Sequence, residues 1–127
     1  FDNRIKIISK LTNSKKWKDQ FSFIDPIKKL NPSWFGLPIL INDKYKKKKN
    51  KFLSFLNKSG VETRPIISGN FLNQPSIKLY ELNKNKERFS GSQDVEERGF
   101  FIGIHVDPIS EEKLNLLENK LLKINEI

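Results

Sequence analysis

Phe100-Phe-Ile-Gly-Ile-His-Val106 is the segment on which the fold turns. It reads as a β-strand, with Phe100, Ile102, Ile104 and Val106 on one face and Phe101, Gly103 and His105 on the other. The first face is a core face. The second is less apolar, and Gly103 opens a gap in it where another backbone or a ligand can approach. A sheet with one apolar face needs helices to cover it, and the next residues supply one. Asp107-Pro108 turns the chain, Ser110 is placed to cap a helix, and Glu111 and Glu112 fall in its first turn, where the helix dipole favours carboxylates. Leu114, Leu117, Leu121 and Ile124 then recur at steps of three and four, forming a single apolar stripe.

Moving toward the N-terminus, residues 61–76 read VETRPIISGNFLNQPS. The segment begins as a second strand over 61–67, is interrupted at Pro65, and runs through a Ser68-Gly69-Asn70 loop to Gln74-Pro75-Ser76. It is crowded with groups able to bind: Glu62, Thr63, Arg64, Asn70, Asn73 and Gln74. Loops held on rigid strands are where binding groups concentrate. With Val61 and Thr63 facing one way, Glu62 and Arg64 share the opposite face at the strand end. Two readings of that pair stand side by side. It is either a surface ion pair worth little, or a fork that grips a carboxylate, a phosphate or the hydroxyls of a sugar.

Residues 33–41, SWFGLPILI, form a third strand, and Gly36 and Pro38 inside it call for an edge position or a bulge. Asn42 or Asp43 caps a helix over 45–58 whose buried side is Tyr45, Phe52, Leu53, Phe55 and Leu56, with Gly60 as its stop. At the start of the chain, Phe1, Ile5, Ile8 and Leu11 lie on one helical face, ended by Asn13-Ser14. Trp17, Phe21 and Phe23 are expected to pack under a loop, with turns at Asp25-Pro26 and Asn31-Pro32. Residues 77–82 read equally as a short helix or strand, and 83–92 as an exposed connection. Ser92 caps a short helix through Glu97, stopped by Gly99. The expected fold is α+β: a single domain over 1–127, built as a two-layer sandwich of a small, mainly antiparallel sheet of about three strands with helices on one face.

The net charge of +9 invites a nucleic-acid partner. However, 20 of the 24 basic residues are lysine, Asn and Ile are abundant and Ala is absent, a bias that an A/T-rich coding sequence produces unaided. Only Arg4, Arg64, Arg88 and Arg98 offer the bidentate contacts that base recognition favours. Lys46 to Lys49 are consecutive, so a helix spreads them around its circumference as a solvated surface and not as one phosphate-binding face. The absence of cysteine excludes disulfides, thiol nucleophiles and thiolate metal sites, and a single histidine excludes a multi-His metal cluster. No apolar run reaches membrane-spanning length, and a soluble cytoplasmic protein is expected.

His105 is the only histidine, and so the only conventional near-neutral base. Glu62 or Asp107 could pair with it, but no serine or cysteine elbow accompanies it, which points to a structural or substrate-contact histidine. Gly99 to Gly103 lacks the spacing and following lysine of a phosphate loop. These residues form no complete active site, and no catalytic, cofactor-binding or metal-binding residue is assigned. The chain begins at Phe1 and contains no methionine, so it is expected to be a piece of a longer protein.

Three segments together resemble one family: Trp34-Phe-Gly-Leu-Pro-Ile39, Thr63-Arg-Pro-Ile-Ile-Ser-Gly-Asn-Phe-Leu-Asn-Gln-Pro75 and Gly99-Phe-Phe-Ile-Gly-Ile-His105. In order and spacing they resemble the C-terminal part of the DegT/DnrJ/StrS sugar-nucleotide aminotransferases. Within that family the Arg-Pro followed by Gly-Asn and Gln-Pro is closest to the nucleotide-linked 4-keto-6-deoxyhexose 3-dehydratases. The resemblance extends over roughly the whole chain, and its middle segment is the most specific. It implies the small C-terminal domain of a fold type I enzyme of deoxysugar or lipopolysaccharide biosynthesis, with pyridoxal phosphate bound by an absent large domain. It further implies a nucleotide-linked sugar as substrate and a homodimer for the full-length enzyme. By the same resemblance Glu62 and Arg64 face the substrate cleft, Asn70 and its loop line it, and His105 stands at the end of the neighbouring strand. Two competing classes are a small basic nucleic-acid-binding module and a domain that serves only packing or dimer contacts.

Overall fold

Strands β1 (Phe21–Phe23), β2 (Gly36–Ile41), β3 (Thr63–Arg64) and β4 (Gly99–Gly103) form one antiparallel sheet in the order β1-β2-β4-β3. Helices α1 (Asp2–Thr12), α2 (Lys49–Lys58), α3 (Ser90–Arg98) and α4 (Glu111–Leu122) complete the α+β arrangement. The structure, a computed structural model, describes residues 2–13, 15–17, 19–24, 30, 32–80 and 87–127. The expected turns at Asp25-Pro26 and at Asn31 lie outside these, as do Phe1, Ser14 and part of the 83–92 connection.

Alternation along β2 and β4 sorts the sheet's two faces. Leu37, Ile39 and Ile41 of β2 and Phe100 and Ile102 of β4 are buried. The register sets Ile39 opposite Phe100 and Leu37 opposite Ile102. Against this face lie Ile7, Ile8 and Leu11 of α1, Phe52 and Leu56 of α2, and Leu114 and Leu121 of α4, with Ile124 just beyond α4. An aromatic chain runs through the centre. Trp17 and Phe21 sit 5.8 Å apart, Phe21 stacks on Phe52 at 5.9 Å, and Phe52 meets Phe100 edge-on at 6.2 Å. The buried indole N–H of Trp17 is satisfied by the Leu11 carbonyl at 2.6 Å. α4 begins as expected, with the Ser110 side chain accepting from the Lys113 N–H.

Four expectations are corrected. The sheet has a fourth strand, because Phe21 and Phe23 do not pack under a loop but pair with Ile41 and Ile39. A three-residue strand offers too few alternations to be seen as a period. Pro38 does not mark an edge strand, since β2 lies between β1 and β4. The β1 pairing reaches only from Ile41 to Ile39, however, so at Pro38 one flank of β2 has no partner strand among the described residues, and the missing N–H is tolerated there. The strand over 61–67 shrinks to Thr63–Arg64, cut off by Pro65. Finally, Val106 is exposed and not on the core face. β4 ends at Gly103, Ile104 still bonds to the Phe35 carbonyl, and beyond it the alternation lapses.

Residues 43–48 form a 3₁₀ turn before α2, with Asn42 as cap accepting from the Lys44 N–H at 3.2 Å. α2 is capped at its C-terminus by Ser59, and Gly60 takes φ +86°, a conformation that favours glycine. No described helix is long and apolar enough to cross a membrane.

Candidate functional site

The turn after α2 places β3. Asn57, in the last turn of α2, accepts from the Thr63 N–H at 2.9 Å and donates to the Thr63 hydroxyl at 2.9 Å, while the Val61 N–H reaches the Leu56 carbonyl. Thr63 then sits opposite Ile102 and Arg64 opposite Phe101. Arg64 therefore projects from the face of the sheet away from the helical core. Its Nε donates to Glu62 Oε1 at 2.9 Å, and its Nη2 lies 2.8 Å from the same oxygen. Sequence reading missed Asn57. Its signal would have been an amide in the last helical turn, three residues before the glycine stop.

Glu62 and Arg64 line an open groove of about 480 Å³ together with Phe35, Phe101, Gly103, His105 and Leu117. His105 enters from the far end of β4, its Nδ1 3.5 Å from the Asp107 carboxylate. The structure thus brings three of the four expected site residues to one depression. The Glu62 and Arg64 side chains are 73% and 64% exposed, so most of their hydrogen-bonding capacity is free to meet a ligand. At Gly103 a side chain would meet nothing within 4 Å, so this residue forms an open floor. Gly36, its partner across the ladder, is different: a Cβ there would lie 2.8 Å from the Ile102 carbonyl and the Phe101 ring.

Phe35 and Phe101, edge to face at 5.3 Å, make a ridge beside the groove. Beyond the ridge a second depression of about 660 Å³ is almost wholly apolar, with Trp34, Pro38, Pro65, Ile66 and Ile67 in its lining.

Asn70 is placed elsewhere. It is 1% exposed, and its polar atoms are consumed internally. Its N–H donates to Glu96 at 2.6 Å, its amide donates to Gln93 at 2.8 Å, and its Oδ1 accepts from the Leu72 N–H at 3.0 Å. Asn73 bonds to the same Gln93 and Glu96 side chains. Asn70 therefore ties the loop after β3 to α3 and does not line the groove. Replacing it with alanine removes its two side-chain bonds, to Gln93 and to the Leu72 N–H, and is expected to destabilise the chain by about 1–3 kcal/mol. Faster hydrogen exchange should be confined to residues 68–74 and the start of α3. Unchanged exchange there would mean that the loop is held by something else.

α3, with the sequence SGSQDVEER, buries no side chain fully and is held by polar contacts. Lys49 donates to the Glu96 carbonyl at 2.7 Å, and Lys46 forms an ion pair with Glu97. The hydrogen bond from Lys46, then that from Gln93, holds the Glu97 carboxyl below its ordinary range, and Glu97 in turn raises Lys46. Burial pushes Lys49 down despite the nearby Glu96 and Glu97. The lysine run is therefore not simply a solvated surface, because two of its members clamp α3.

No family model matches the chain. In sequence it is 29% identical over 85 residues to the GDP-4-keto-6-deoxy-D-mannose 3-dehydratase of Yersinia pseudotuberculosis, a match covering 66% of this chain and 21% of that protein. In structure it superposes on the Escherichia coli GDP-4-keto-6-deoxy-D-mannose-3-dehydratase with bound hydrated PLP. That match has a TM-score of 0.75 and 22% identity, over 94% of this chain and 30% of that one. It also superposes on Helicobacter pylori PseC, an aminotransferase involved in the biosynthesis of pseudoaminic acid. Here the TM-score is 0.74 at 21% identity, over 98% of this chain and 32% of that one. The chain thus spans about a fifth of the curated relative's length and shares its fold with about a third of each solved enzyme. The resemblance to sugar-nucleotide enzymes of the DegT/DnrJ/StrS type is borne out by these matches.

Proposed function

We propose that this chain is the substrate-side domain of a pyridoxal-phosphate-dependent sugar-nucleotide enzyme, a 3-dehydratase acting on a nucleotide-linked 4-keto-6-deoxyhexose. One observation carries the reading: Glu62, Arg64 and His105 are separated by up to 43 positions in the chain and line one open groove at the β3 edge of the sheet. The dehydratase branch is favoured over the aminotransferase because the sequence relative is a dehydratase, whereas the aminotransferase match is one of fold.

Pyridoxal phosphate does not fit the groove itself: among the described residues the one guanidinium in its lining is already paired with the one carboxylate, and no uncompensated cation is left for the cofactor's phosphate. In this reading the cofactor is held by the remainder of a longer polypeptide, where it supplies carbanion stabilisation. This chain's own contribution is orientation. Arg64 and Glu62 hold substrate polar groups in one geometry, and the aromatic ridge excludes water from one side. The +9 net charge is not gathered in this groove, where the two formal charges cancel.

Expressing the longer polypeptide that carries these residues tests the proposal. It is expected to acquire pyridoxal-phosphate absorbance and, with glutamate present as the two-electron donor (oxidised to its 2-oxo acid with release of ammonia), to consume GDP-4-keto-6-deoxy-D-mannose with replacement of the C3 hydroxyl by hydrogen. Absence of both cofactor and turnover of any nucleotide-linked 4-ketohexose overturns it.

A further inference from the structure

We infer that the Glu62–Arg64 groove receives the neutral hexose of the nucleotide sugar and not its diphosphate, an assignment that rests on the sugar-nucleotide reading proposed for this site. Charge placement carries the argument. The two formal charges in the lining, Glu62 and Arg64, are already joined at 2.8 Å and cancel. The groove's other polar side chain, His105, sits 3.5 Å from Asp107, a carboxylate, so that end adds negative charge and no spare cation. The chain carries 20 lysines, yet among the described residues none lines the groove. A diphosphate is held by uncompensated Arg or Lys, or by N–H groups at a helix N-terminus. The groove has neither, since α4 presents Leu117 from its middle, and its other walls are β3, β4, Phe35 and the turn before β3.

A sugar hydroxyl asks for something else, because it donates and accepts at once. A guanidinium with unused N–H groups beside a carboxylate with unused lone pairs offers a donor and an acceptor next to each other, which suits neighbouring hydroxyls. The Phe35–Phe101 ridge alongside supplies an apolar surface for the C–H face of a pyranose and for a 6-deoxy methyl group. The open position at Gly103 gives the ring room.

The test uses the ¹⁵N-labelled longer polypeptide that carries these residues, following the Arg64 Nε–H and the Gly103 amide by NMR. Three probes are titrated separately: a methyl 6-deoxy-mannopyranoside, inorganic pyrophosphate and GDP. The glycoside is expected to shift both signals saturably, while pyrophosphate and GDP leave them unmoved at the same concentration. Glu62→Gln frees the guanidinium. In that variant pyrophosphate should shift Arg64 with at least roughly tenfold stronger apparent affinity, and in a salt-dependent way. The inference is overturned if pyrophosphate or GDP shifts the wild-type groove as strongly as the glycoside does, or if the glycoside shifts neither signal. Either result leaves the turnover assay of the longer polypeptide free to succeed. Conversely, a glycoside bound here with no turnover there would sink the functional reading alone.

Discussion

Arg64→Ala is expected to lower kcat/KM for a nucleotide-linked 4-keto-6-deoxyhexose by roughly 10- to 100-fold in the longer polypeptide that carries this chain, with the fold intact. A hydrogen bond to a charged group is worth about 1.5–3 kcal/mol, and each 1.4 kcal/mol of transition-state binding is about a factor of ten in rate. Stability should barely move. The Arg64 side chain is 64% exposed and its ion-pair partner is the equally exposed Glu62, so removal opens no core cavity. Exposed pairs of this kind contribute about 0–1 kcal/mol. Arg64→Lys should fall between wild type and alanine, keeping the charge but losing the planar fork. Steady-state kinetics beside a thermal melt separate the two effects. Wild-type kcat/KM in the alanine variant would remove Arg64 from the site, and a matching loss of melting temperature would make its role structural.

Phe52→Ala acts on the other link, from core to site. Phe52 is 0% exposed and bridges Phe21 of β1 and Phe100 of β4 through ring contacts at 5.9 and 6.2 Å. Truncating a buried phenylalanine costs about 3–5 kcal/mol, the cavity included. Domains have only about 5–15 kcal/mol in total. The midpoint of thermal unfolding should fall by about 10–25 °C. Because α2 also fixes β3 through Asn57, loosening this helix should broaden the Arg64 signals before global unfolding. A melt within a few degrees of wild type would show that the cavity collapses and that the aromatic chain is not the centre of the core.

Much of the site was legible in the residues. That Glu62 and Arg64 share a face follows from two-residue alternation, and their pairing needs no other element. Their exposure was not legible in the same way, since it depends on which face the helices cover. Asn70 shows the limit most clearly. As a polar residue in a loop beside a strand it reads as a binding group, but its fate depends on Gln93 and Glu96, 23 and 26 positions away. Those two lie on a helix with almost no apolar signal. The Lys46 to Lys49 run misleads for the same reason, since Lys49 meets its partner 47 positions on.

Periodicity was sufficient for β4, α2 and α4, because steps of two, three and four are properties of neighbouring residues, and the chain carries them into any context. The β1–β2 pairing, the tolerated proline inside β2, the burial of Asn70 and the meeting of His105 with the Glu62–Arg64 pair belong to the folded molecule alone. Each depends on contacts between segments distant in the chain, and nothing in a local window specifies which distant surface will arrive to satisfy a strand edge, an amide or a charge.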